Sequence, residues 1–362
     1  MKFSSLKESL MAHEIGDIER IENKQRINLS SHAYNILIHD TDIFEPKSAK
    51  QGEICSALIN QIFENFRSHA ESSVAVACQD HRSRLMDTLS AIEDLVSKQQ
   101  AIDLLLKVYQ ADLEEKCQKR CVRKEHALMF RISKRNLDYL LSDEGQRESM
   151  HHHDNIGVYF KALLEEYCEL PYVERERIYY KQFVDEIGLA ILHSNMLKIV
   201  TRKKNTSYMK PLELGQDPEQ LYNYLVGLMA TSTDGPWNIA SIRLSSITSC
   251  ERRAKSAFIS TETEKEVRSA IKKVGIQYLV DTDPDQKIVV EFTPEGEKMY
   301  RSILHLRPQY INKSGSVYEF SCSERQADNY FFKFGHNVRV LEPERLAAKF
   351  QRKYENAAKK YK

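Results

Sequence analysis

Between residues 198 and 255 nine basic side chains stand against five acidic ones. The cations are Lys198, Arg202, Lys203, Lys204, Lys210, Arg243, Arg252, Arg253 and Lys255, and Tyr208, Tyr222, Tyr224 and Trp237 lie among them. Cations neutralise phosphates and release their counterions, while aromatic rings stack on unpaired bases at ~1–3 kcal/mol each. Charge with stacking suits a single-stranded nucleic acid. The candidate binding set is Arg202, Lys203, Tyr208, Lys210, Tyr224, Arg243, Arg252 and Arg253. The structural alternative is a solvated barrel with tyrosines in its core. A second candidate surface starts at KQRINLSS, where Ile27 and Leu29 alternate with Arg26, Asn28 and Ser30. That is a half-buried strand of period two. Paired with a second strand it makes a ribbon that fits the DNA major groove, where Arg reads guanine and Asn reads adenine. The same ribbon can serve dimerisation alone, its polar side in water. Gly52-Glu53 favours the latter, because it brings an acid to a helix N-terminus where phosphate would otherwise be held.

Catalytic chemistry finds little support. Arg147 and His152 have the RxxxxH spacing of some RNases, but about one such match is expected by chance among 12 His and this many Arg, and HHHD at 151–154 reads as a polar loop. Cys117, Cys121 and His126 are spaced like metal ligands, yet a closed zinc site takes four and no second pair stands nearby. Neither GxxxxGK[ST] nor GxSxG occurs. The chain is read as non-enzymatic, without cofactor or metal.

The elements that must position these residues follow from periodicity. After the strand, Ala33, Ile36, Leu37 and Ile38 suit a helix capped by Ser30 or Ser31, and Ile54, Leu58, Ile59, Ile62 and Phe66 suit another. Arg82 to Arg123 reads as one long helix or a helical pair, with a possible break at Gln99-Gln100. LMFRISKRNLDYLL (128–141) then repeats RINLSSHAYNILI, and GVYFKALLEEY (157–167) repeats GEICSALINQI (52–62), at offsets of 103 and 105 residues. A strand-helix-helix unit occurs twice, pairing its strands within one chain, between chains, or not at all. From Met196 short strands with tight turns read as a small barrel. A helix capped by Ser260 or Thr261 follows, then the order βαββαβ from Lys287 and a terminal basic helix.

The chain holds 362 residues, 53 Lys+Arg against 52 Asp+Glu, 41% hydrophobic and seven cysteines. This length suggests two or three domains. No run approaches the ~20 apolar residues of a membrane span. The first 24 residues carry acids where an export signal needs an apolar core. With an odd cysteine count, a reducing cytoplasm is expected. The formal charge of +1 means that any nucleic-acid site must be local.

Residues 196–256 resemble the WYL domain, a small Sm-like β-barrel, through Pro211 in YMKPLEL, Tyr224 and Leu225 in LYNYLVG, and Arg243, Leu244 and Ile247 in SIRLSSI. Asn223 stands where that motif has Trp, and Ser246 where it usually has a second Arg. The βαββαβ unit resembles the extension that follows many WYL domains, and the N-terminal strand-helix-helix resembles a ribbon-helix-helix domain. The combination is similar to the WYL accessory proteins of type VI-D CRISPR systems. The resemblance implies an α+β chain: a ribbon-helix-helix-like domain (1–80), a helical linker with a second strand-helix-helix unit (81–195), a WYL barrel (196–275) and a ferredoxin-like C-terminal domain (276–362). It further implies a homodimer that binds single-stranded RNA and stimulates a CRISPR effector RNase. The runner-up is a transcriptional regulator that binds operator DNA through the ribbon, with the WYL barrel as sensor. A nuclease is the third reading.

Overall fold

A computed structural model describes residues 23–46, 52–217, 221–281, 287–305 and 307–361; the segment read above for an export signal lies largely outside them. The chain forms two compact units, Met1–Lys181 and Gln182–Lys362. All seven cysteines are free thiols. Among the described residues no helix is long and apolar enough to cross a membrane.

The first unit runs β1 (Lys24–Leu29), α1 (Ser31–Phe44), α2 (Ser56–Phe66), α3 (Val74–Thr88), α4 (Leu95–Arg120), β2 (His126–Arg131), α5 (Lys134–Leu140), α6 (Asp143–His151), α7 (Ile156–Glu169) and α8 (Tyr172–Tyr179). β1 pairs with β2 antiparallel, Ile27 opposite Leu128 and Arg26 opposite Met129, so the ribbon closes within one chain. The repeat is visible in its hydrogen bonds. Ser30 caps α1 and Ser133 caps α5. The Ser30 N–H donates to Glu165 of the second half at 2.7 Å, and the Ser133 N–H donates to Asn60 of the first half at 2.6 Å. Asn60 and Glu165 are the equivalent residues of the two repeats, so each half holds the other's cap.

Helix α7 is buried on every side. Tyr159, Phe160, Leu163 and Tyr167 fill the core, and Phe160 stacks on Phe63 at 4.2 Å. Three of its charged residues, Lys161, Glu165 and Glu166, are buried too, while Glu169 at its end is exposed, and a buried charge is tolerated only when it is paired or hydrogen-bonded. Each meets that condition on a loop backbone: Glu165 at Ser30, Glu166 at the N–H groups of Glu71 and Ser72, Lys161 at the carbonyls of Cys121 and Arg123. The helical stretch after Arg82 breaks at 89–94 and not at Gln99-Gln100, because Asp94 caps α4 by accepting the Ser97 N–H.

The second unit follows α9 (Lys181–Leu192) with β3 (Asn195–Thr201), β4 (Thr206–Gln216), β5 (Asn223–Ala230), β6 (Asn238–Arg243), a 3-10 turn at Leu244–Ser246 and β7 (Ile247–Ser256). The order is β6-β5-β4-β3-β7, antiparallel throughout. The expected barrel is not closed. The segment Ile276–Asp281 packs on β6, with the Ser241 hydroxyl donating to the Ile276 carbonyl at 2.6 Å, and β7 pairs only with β3 among the described residues. Between the sheets lies α10 (Thr261–Val274), capped by Ser260. Then come β8 (Ile288–Phe292), α11 (Pro294–Ser302), β9 (Tyr310–Ser314), β10 (Val317–Phe320), α12 (Glu324–Phe331), β11 (Val338–Glu342) and α13 (Glu344–Ala358). Their sheet has the order β11-β8-β10-β9, the interleaving of a split βαβ pair. Tyr224 and Val226 of the five-stranded sheet share one core with Val290, Phe292, Phe320 and Phe334.

Candidate nucleic-acid interface

The ribbon places its residues by alternation. Ile27, Leu29, Leu128 and Phe130 turn inward and are buried. Lys24, Arg26 and Asn28 of β1 and Ala127, Met129 and Arg131 of β2 turn outward and are exposed. Lys24 lies opposite Arg131, Arg26 opposite Met129 and Asn28 opposite Ala127, so these six share one face. That face holds three cations and no acid, and none of the three forms an ion pair with a described residue. Ser30 departs from the expectation. It is 4% exposed; its hydroxyl accepts the Ala33 N–H and donates to Glu165, so it is a helix cap and not a surface residue. Lys24, Met129 and Arg131 were missed in the sequence, although the period-two pattern of Leu128, Phe130 and Ile132 already points Met129 and Arg131 outward.

The five-stranded sheet divides the residues expected around one barrel mouth. Lys198 of β3 lies opposite Tyr208 of β4, and Lys210 follows two residues on along the same side of β4. The Lys210 ammonium sits 4.9 Å from the centre of the Trp237 ring. Lys198 also lies opposite Glu251 of β7, so Arg253 joins this side, paired to Glu251 at 2.8 Å. All of these side chains are at least partly exposed. Two rings and three cations thus share one side of the sheet. Lys198 and Trp237, flanking residues in the sequence, belong to this group.

The other expected residues lie elsewhere. Arg252 is opposite the fully buried Leu197, hence on the other side, 3.6 Å from Glu186. Arg202 and Lys203 are in the β3–β4 loop, where the Arg202 N–H donates to the Ser246 carbonyl at 2.9 Å. The Arg243 guanidinium lies 3.3 Å from the centre of the Tyr222 ring. Tyr224 is in the core, its hydroxyl pushed up to about 12 by burial, and has no face to offer a base. In the terminal helix Lys349 and Lys353 close on Asp328 at 2.9 and 2.6 Å, so part of its basic charge is spent internally.

The other candidate sites are accounted for by packing. His152 is 1% exposed; it hydrogen-bonds the Ser72 carbonyl at 2.8 Å, stacks on Tyr159, and has its pKa lowered to about 4 by burial. Arg147 turns to the Asp143 carbonyl. Cys117 is buried, its thiol raised to about 11 by desolvation, and among the described residues no three His, Cys, Asp or Glu side chains gather as metal ligands.

No protein-family model matches the chain, and no curated protein matches it. A solved structure described as the crystal structure of a CRISPR Cas-related protein superposes with a TM-score of 0.72, covering 95% of both chains at 22% identity. The two chains share a fold. The proteasome accessory factor PafBC of Arthrobacter aurescens aligns over 92% of this chain and 49% of its own at 13% identity, with a TM-score of 0.28, too low to indicate a common fold.

Proposed function

We propose that this protein is a non-enzymatic, cytoplasmic accessory factor of a CRISPR system that binds single-stranded RNA on its five-stranded sheet and stimulates an RNA-guided effector RNase. One observation carries the binding: Lys198, Tyr208, Lys210 and Trp237 lie together on one side of the sheet and are each partly exposed there, where rings can take bases and ammonium groups can take phosphates. Arg253 can join them, since its exposed pair with Glu251 is worth little and a phosphate can replace the carboxylate. The fold shared with a CRISPR Cas-related protein over 95% of the chain supports the setting. The type VI-D assignment and the WYL and ribbon-helix-helix names rest on the sequence resemblance. A homodimer belongs to the same proposal, although the ribbon on which it was expected finds its second strand within the chain.

The test is a titration with labelled single-stranded RNA, single-stranded DNA and duplex DNA at two salt concentrations. Lys198→Ala with Lys210→Ala is expected to lower the slope of log affinity against log salt by ~1.4 on single strands, two contacts at ~0.7 each. An unchanged slope removes this side of the sheet as the site. The exposed ribbon face favours a second reading, in which Arg26, Asn28 and Arg131 contact duplex DNA. Duplex binding lost in Arg26→Ala/Arg131→Ala, with single-strand binding intact, would support it.

A further inference from the structure

Phe258 lies just beyond the basic stretch that ends at Lys255, in the short link between β7 and α10. It is 72% exposed, and no other described phenylalanine is exposed. Single exposed apolar side chains are ordinary on a protein surface, so exposure alone decides nothing. The mounting of this one decides more. Before it, Ala257 is buried and donates its N–H to the Ser194 carbonyl at 2.8 Å; after it, Ser260 caps α10 by accepting the Thr263 N–H at 3.2 Å. The backbone is fixed on both sides of an exposed ring, so a ligand that stacks on the ring has little left to order.

This mount adjoins the side of the five-stranded sheet that carries rings and cations. The Lys210 ammonium donates to the Phe258 carbonyl at 3.5 Å while it lies 4.9 Å from the centre of the Trp237 ring. One ammonium group thus joins the link that carries Phe258 to the residue that leads into β6. We infer that Trp237 and Phe258 form a clamp that closes on one unpaired base of the bound strand and releases Lys210 to the adjoining phosphate. Every base has two π-faces, so the clamp is tolerant of sequence. A base inside a duplex has both faces covered by its neighbours, so the clamp rejects double strands. The ammonium does not hold the site shut, because a cation–π contact at an exposed site is weak and the Phe258 carbonyl can bond water instead. The clamp rests on the proposed binding of single strands at this side of the sheet, and it assigns to that site a third ring and a ligand recognised by its bases as well as its phosphates.

Trp237 is the only tryptophan of the chain, so intrinsic fluorescence reports this site directly. The test titrates the whole chain with labelled single-stranded RNA and with inorganic polyphosphate, which carries the charge without the bases. RNA is expected to quench Trp237 by stacking, and polyphosphate to leave it bright. Phe258→Ala and Phe258→Leu should each lower RNA affinity roughly tenfold, with the salt slope, the polyphosphate affinity and the thermal midpoint unchanged, while Phe258→Tyr keeps wild-type affinity. The leucine variant separates an aromatic role from an apolar one. If RNA binds with a salt slope that depends on Lys198 and Lys210, yet Trp237 is not quenched or Phe258→Ala and Phe258→Leu bind like wild type, the clamp is overturned and the binding side of the sheet stands. Equal losses on RNA and polyphosphate in Phe258→Ala also overturn it, because they place the effect on the phosphates or the fold. A wild-type chain that binds no single-stranded RNA overturns both the clamp and the reading beneath it.

Discussion

The two basic surfaces differ in what their charges are doing. On the ribbon, Lys24, Arg26 and Arg131 stand on a face without an acid and form no ion pair with a described residue. On the five-stranded sheet most cations are engaged: Arg252 with Glu186, Arg253 with Glu251, Lys255 with Asp234, Lys210 over Trp237 and Arg243 over Tyr222. The ribbon offers charge without rings, and the sheet offers rings with charge already screened. Counting basic residues along the chain cannot separate these cases. A surface of free cations is suited to the backbone of any nucleic acid, whereas rings beside cations prefer unpaired bases.

The largest difference expected between the two regions is in acid stability. In the ribbon-bearing unit His152 takes a proton near pH 6.5 when unfolded but only near 4 when folded. The unfolded chain therefore binds protons preferentially as pH falls through that window. Up to about 3 kcal/mol, present above pH 6.5, is lost by pH 4. Glu148, whose pKa burial raises, acts in the opposite sense, so His152→Phe is the comparison that isolates the histidine. Urea midpoints across pH 4–7 should fall less steeply in that variant; an identical fall would mean that the buried ring contributes nothing. Next in size is Tyr208→Ala, expected to cost single-strand affinity ~1–3 kcal/mol and to leave duplex binding at the ribbon unaltered. A parallel loss on both ligands would merge the two surfaces into one. Smallest is Glu251→Gln, which frees Arg253 and should tighten single-strand binding by less than about fivefold, since exposed pairs are worth 0–1 kcal/mol. Weaker binding in this variant would show that Glu251 positions Arg253 and does not compete for it.

Much of the fold was legible in the residues. Period two exposed β1, the cap choices Ser30 or Ser31 and Ser260 or Thr261 marked two helix starts, of which the structure uses Ser30 and Ser260, and the repeat offsets of 103 and 105 identified two halves. The site was less so. Tyr208 and Lys210 lie two apart on one strand, a relation any strand reading contains, but Lys198 and Arg253 join them only because β3 pairs with β4 on one side and β7 on the other. Tyr224 shows the converse: its neighbourhood in the sequence is basic and polar, yet it faces the core shared with the C-terminal sheet.

Alternation, caps and repeats are local, written within a few residues or a fixed offset, and the sequence determined them without the fold. Three things only the tertiary structure decided. One was that the ribbon closes inside a single chain, because each half's capping serine finds its partner, Glu165 or Asn60, in the other half. Another was that the five-stranded sheet stays open, because the segment Ile276–Asp281 packs on β6 and, among the described residues, β7 pairs with β3 alone. The last was which charges remain available, because an ion pair depends on a distance in space, and the distances that engage Arg252 and Arg253 while leaving Arg26 and Arg131 without an ion pair among the described residues exist only once the strands have met.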